Sequence, residues 1–92
     1  MKEKQWFVYI LRCSDDTLYT GITDNLDKRI AAHNSGKGAK YTRGRGPVCL
    51  RYQEAVESYS TALRRESQIK RLSRTEKLTL IRSFEAANRE KL

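Results

Sequence analysis

Residues 28–53 contain no aspartate or glutamate, although they carry Lys28, Arg29, Lys37, Lys40, Arg43, Arg45 and Arg51. The net charge of +8 is therefore concentrated in the middle of the chain, and a polyanion is the natural partner for such a segment. Helix and strand breakers are just as unevenly spread. The single proline and four of the five glycines fall within GKGAKYTRGRGP at 36–47, which reads as a flexible basic loop with one aromatic, Tyr41. Cysteine is scarce and unclustered. Cys13 and Cys49 lie on different predicted strands with no Cys/His cluster around them, which argues against a metal pair and leaves two reduced, partly buried thiols. No run approaches the ~20 apolar residues of a membrane span. The segment MKEKQW has no apolar stretch resembling a signal peptide, so a cytoplasmic location without membrane partners is expected. With 38% hydrophobic and 33% charged residues in 92, the chain is expected to form one domain, its core at about 6–84, with a small core and a charged surface.

What is present forms a recognisable order of elements. WFVYILR at 6–12 reads as a strand, with Phe7, Tyr9 and Leu11 on one face and Val8 and Ile10 on the other. CSDDT at 13–17 is a polar turn, and LYTGIT at 18–23 is the returning strand. Tyr19, Gly21 and Thr23 share a face, and Gly21 within a strand signals a bulge or a close backbone approach. Asp24 is the expected N-cap of a helix carrying Leu26, Ile30 and His33, which stops at Asn34-Ser35-Gly36. Arg29 stands three residues after Leu26 and four before His33, so both polar groups lie on or beside the apolar face.

VCLRYQEAV at 48–56 alternates as a third strand, and a helix follows from Ser58–Thr61 with Ala62, Leu63, Ile69 and Leu72 as its apolar positions. Glu66 falls within that stripe. It is either paired with Lys70, its i+4 neighbour, or held neutral or on a metal. Ser73-Arg-Thr-Glu76 is a capping box that opens a last helix, with Leu78, Ile81 and Phe84 toward the sheet. NREKL at the end is expected to fray. The order β-β-α-β-α-α makes an α+β domain with helices against a small sheet.

The sequence has no Ser-His-Asp order, no GxxxxGK, no CxxC and no paired carboxylates. Two tyrosines, an arginine, a histidine and a glutamate beside a basic loop suit phosphodiester chemistry. Arg29 would stabilise charge on phosphoryl oxygens. Glu66 would hold a divalent metal. His33 would relay a proton near neutral pH. Tyr9 or Tyr19 would orient or deprotonate water. Lys37, Lys40, Tyr41, Arg43 and Arg45 would contact nucleic acid. Packing is the plainer reading of each tyrosine and of the histidine.

The spacing from Tyr9 to Tyr19-Thr20-Gly21 to Arg29 resembles the GIY-YIG nuclease superfamily. Phe7-Val8-Tyr9 stands where that family has Gly-Ile-Tyr. GKGAKYTRGRGP and ESQIKRLSR look like its small stand-alone bacterial branch. The resemblance covers residues 6–82. It implies a three-stranded antiparallel sheet flanked by helices and hydrolysis assisted by Mg²⁺ or Mn²⁺. Tyr9 and Tyr19 would line the site, Arg29 would stabilise the transition state, Glu66 would bind the metal, and His33 matches a histidine of several branches. The implied function is an endonuclease acting on DNA in preference to RNA, on structured or damaged substrates. A non-cleaving nucleic-acid-binding module, or a subunit dependent on a partner protein, is the alternative.

Overall fold

The computed structural model describes residues 4–90. It contains β1 (Trp6–Arg12), β2 (Leu18–Thr23), α1 (Leu26–Asn34), a single 3-10 turn (Lys40–Thr42), β3 (Cys49–Val56), α2 (Tyr59–Lys70) and α3 (Arg74–Glu90). The strands form one sheet in the order β2-β1-β3, and both pairings are antiparallel. The expected α+β order and sheet are thus observed.

Central strand β1 is covered on both faces, and its alternation sorts two cores. Val8 and Ile10 join Tyr52, Ala62, Ile69 and Ile81 under α2 and α3. Tyr9 and Leu11 join Cys13 and Val48 on the opposite face, with Tyr19, Leu26 and Ile30 packed around them. Val8, Ile10 and Leu11 are completely buried. Each such side chain contributes roughly 1.5–3 kcal/mol, against about 0–1 for an exposed ion pair, so these clusters hold the sheet to its helices.

Local signals explain the boundaries, with some corrections. The N-cap of α1 is Asn25, whose side chain accepts from the Lys28 amide at 3.1 Å, and not Asp24, which instead pairs with Lys4 at 3.4 Å. Both residues are good caps by type, and only the extended backbone at Asn25 decides between them. Gly36 takes the left-handed conformation expected just past the helix end, with φ 82°. The capping box at α3 closes reciprocally: the Ser73 amide donates to Glu76 Oε1 at 3.0 Å, and the Glu76 amide to Ser73 Oγ at 3.2 Å.

Leu63 is 41% exposed and lies off the core face of α2, while Cys49 is exposed and Cys13 is buried beyond the end of β1. Both thiols are free. Residues 88–90, expected to fray, continue α3, and 91–92 lie outside the described residues. Among the described residues no helix is long and apolar enough to cross a membrane.

Candidate active site

Tyr9 and Gly21 are paired across β1 and β2, and the pairing has no bulge there. The Tyr9 ring lies across the glycine: a Cβ at Gly21 would sit 2.6 Å from Tyr9 Oη and 2.8 Å from Cζ. Of the two possibilities for a glycine within a strand, close approach is the one observed. Gly21 leaves the phenol room to extend beneath α1.

There it meets His33. Tyr9 Oη and His33 Nε2 are 2.9 Å apart, and both residues are 1% exposed. Tyr19 flanks the pair, its ring 6.3 Å from that of Tyr9 and 5.3 Å from that of His33. Arg29, one turn before His33, is half-buried and lines a cleft with Thr23, Asp24, Asn25, Lys28 and Ala32. Burial raises the phenol of Tyr9 above its ordinary range of about 10, and the guanidinium of Arg29 beside it acts in the opposite direction. Burial also lowers the imidazole of His33, and the positive charge of Arg29 pushes it the same way. His33 is thereby kept neutral around neutral pH.

Glu66 belongs to α2, which packs against β2 and β1. The carboxylate is near enough for its charge to raise Tyr9 slightly. Its side chain is 19% exposed and pairs with Lys70 at 3.5 Å, which is the i+4 partner anticipated for it.

The glycine-rich loop departs most from expectation, because it is fastened along its length. Arg45 is bound to the Asp15 carboxylate and lies 4.6 Å over the Tyr41 ring, which stacks on Tyr19 with centroids 5.8 Å apart. The Ser14 amide and hydroxyl both donate to the Arg45 carbonyl, at 2.7 and 2.8 Å. The Val48 amide donates to the Asn34 side chain at 2.7 Å. Gly38 lies against His33, where a Cβ would come within 2.7 Å of the histidine Cα. Thr42, 1% exposed, places its hydroxyl 2.8 Å from His33 Nδ1.

Tyr9, Tyr19, Arg29 and His33 therefore converge, and Glu66 is linked to them only through the effect of its charge on Tyr9. Lys37, Lys40 and Arg43 are exposed and have no ion-pair partner among the described residues. Arg45 and Tyr41 are engaged within the protein. Sequence reasoning missed Thr42 and Gly38, which lie in a loop with no periodicity to indicate an inward-facing side chain. The excess of glycine was the available signal.

Residues 5–79 match the GIY-YIG catalytic domain. A UPF0213 protein of Clostridium perfringens is 58% identical over 87 residues, covering 92% of this chain and 94% of its own length. A UPF0213 protein of Halobacterium salinarum is 56% identical over 73 residues, covering 79% of this chain and 95% of its own. Among solved structures, the solution NMR structure of a UPF0213 protein from Bacillus halodurans shares 51% identity with a TM-score of 0.55, covering 84% of this chain and 82% of that one. That of a protein from E. faecalis shares 36% identity with a TM-score of 0.62, covering 94% and 93%.

Proposed function

Because the chain belongs to the GIY-YIG catalytic domain family, we propose that it is a metal-dependent endonuclease hydrolysing phosphodiester bonds in DNA. The observation that carries this reading is the buried contact of 2.9 Å between Tyr9 Oη and His33 Nε2, with Arg29 on the turn before His33. A phenol held above its ordinary range is a poor base by itself. Coupled to an acceptor it can take a proton without resting as a phenolate. Water attacking phosphorus passes its proton to Tyr9 Oη as the Tyr9 proton moves to His33 Nε2, while the P–O bond to the leaving strand breaks and the departing oxygen takes a proton from solvent. Arg29, lining the adjoining cleft, stabilises charge growing on the phosphoryl oxygens. Tyr19, half-buried on the same face, borders the space in which water is oriented.

Glu66 fits the protein's share of a metal site. Mg²⁺ at phosphoryl sites is commonly held by one or two carboxylates, with substrate phosphate and water completing the shell. Mn²⁺ accepts the same oxygen donors. Freeing the carboxylate from Lys70 is cheap, since an i,i+4 pair is worth only about 0.3–0.5 kcal/mol. When bound, the ion polarises the scissile phosphate.

Lys37, Lys40 and Arg43 supply phosphate contacts, which fix position and carry no sequence information. Structured or damaged DNA is accordingly favoured over a fixed sequence. A second reading, a nucleic-acid-binding module without cleavage, draws on the 1% exposure of Tyr9, which the scissile phosphate has to reach.

The test is cleavage of flapped and branched DNA by purified protein with Mg²⁺ or Mn²⁺. Glu66→Gln and Arg29→Ala should abolish cutting and leave the circular dichroism spectrum intact. Undiminished cutting in both variants would sink the assignment. Binding without cutting would support the second reading, and cutting only in the presence of another protein would identify a partner-dependent subunit.

A further inference from the structure

The proposed relay works in one direction only if His33 carries its proton on Nδ1, leaving Nε2 bare toward Tyr9. Solvent does not impose that choice on a ring 1% exposed. The partner of the other nitrogen imposes it. That partner is Thr42, whose hydroxyl lies 2.8 Å from Nδ1 and also 2.9 Å from the carbonyl oxygen of Ala39. A carbonyl only accepts, so the single hydroxyl proton of Thr42 is committed to Ala39. Toward Nδ1 the threonine presents a lone pair, and Nδ1 has to donate. Nε2 is then unprotonated and accepts from Tyr9, giving a chain from Tyr9 to His33 to Thr42 to Ala39 in which each group donates to the next.

The loop is shaped to hold this arrangement. The Thr42 amide also donates to the Ala39 carbonyl, at 3.0 Å, which closes the 3-10 turn. Gly38 lets the backbone descend onto the ring. We infer that Thr42 is a positioning residue that fixes the tautomer of His33, so that the glycine-rich loop orients the proton relay in addition to carrying exposed cations. This assignment of Thr42 rests on the relay reading for its catalytic consequence, but its structural content stands without it.

The chain has one histidine, so ¹⁵N-histidine labelling reports on His33 alone. In wild-type protein at neutral pH without nucleic acid, the Nδ1-protonated form should dominate. That is the minor form of the free histidine side chain, and finding Nε2 protonated instead overturns the inference before any variant is made. Thr42→Val, a near-isosteric change that removes the hydroxyl, should shift the population toward the Nε2-protonated form, whereas Thr42→Ser should retain the wild-type pattern. An unchanged tautomer in Thr42→Val also overturns it. In DNA cleavage, Thr42→Val should lower kcat by roughly 10–100-fold with KM held, a share of the ~10²–10⁴ that a positioned proton-transfer group supplies, and Thr42→Ser should restore it. If the tautomer responds as expected while cleavage is absent in the wild type, the positioning role stands and the nuclease reading fails; cleavage that proceeds undiminished in Thr42→Val would instead overturn the relay through His33.

Discussion

A buried tyrosine and histidine at 2.9 Å constrain each other's protonation, and pH should expose this. The imidazole of His33 is lowered from its ordinary 6.5 by burial first and by Arg29 second. The unfolded chain, with an ordinary histidine, binds a proton at higher pH than the folded one. Acidification through 6.5 toward the lower folded value therefore favours the unfolded state, and stability falls across that window. Urea unfolding at successive pH values should show this decline, and His33→Gln should flatten it. Cleavage should lose activity on an acid limb lying below 6.5, where His33 can no longer accept. An acid limb centred above that value would mean that another group is the acceptor. Tyr9→Phe keeps the ring and removes the hydroxyl, so it should cut the cleavage rate about 10²-fold or more. It also leaves a buried Nε2 without a partner, at a cost of about 1–3 kcal/mol in thermal or urea unfolding.

Elements meet at this site through glycines, and their removal should be costly where the backbone is crowded. Gly21→Ala drives a Cβ into the Tyr9 phenol, and Gly38→Ala drives one into the His33 ring and backbone. Each should destabilise by about 1–3 kcal/mol in urea titration, as overpacking of a filled interior does. Gly46→Ala meets nothing within 4 Å and serves as the control. The start of α1 allows a similar contrast. Asn25→Ala removes the capping bond and should cost about 1 kcal/mol, whereas Asp24→Ala should stay within about 0.5 kcal/mol. The reverse ranking would reinstate Asp24 as the cap.

At the scale of the molecule, the positive charge divides into two kinds. Lys37, Lys40 and Arg43 project from the loop without ion-pair partners among the described residues, while Arg45 is spent on Asp15 and Tyr41. Alanine at each of the first three should weaken DNA binding and reduce the slope of log affinity against log salt by about 1 per residue. Arg45→Ala should lower stability and leave that slope nearly unchanged. Fluorescence anisotropy across a salt series separates the two, and equal effects on the slope at all four positions would remove the distinction.

Strand periodicity at 6–12 and 18–23, the helix stop at Gly36 and the capping box at Ser73 were legible because each is a rule about neighbours in sequence. The order β-β-α-β-α-α follows from such rules, and so does the placing of Tyr9 and Tyr19 on one face. The basic segment was equally plain, since charge needs no fold to be counted. Other features depended on contacts and backbone conformations that only the fold supplies. Gly21 is explained by the phenol of Tyr9 lying over it, the choice of Asn25 over Asp24 by one backbone conformation, and the fastened loop by Asp15, Ser14 and Asn34. Thr42 carries no signal in sequence because its partner is a histidine nine residues away on a preceding helix. Sequence alone determined which groups were available and roughly on which elements. Only tertiary packing decided which of them share a buried space, because a hydrogen bond's direction is set by all the donors and acceptors that meet there.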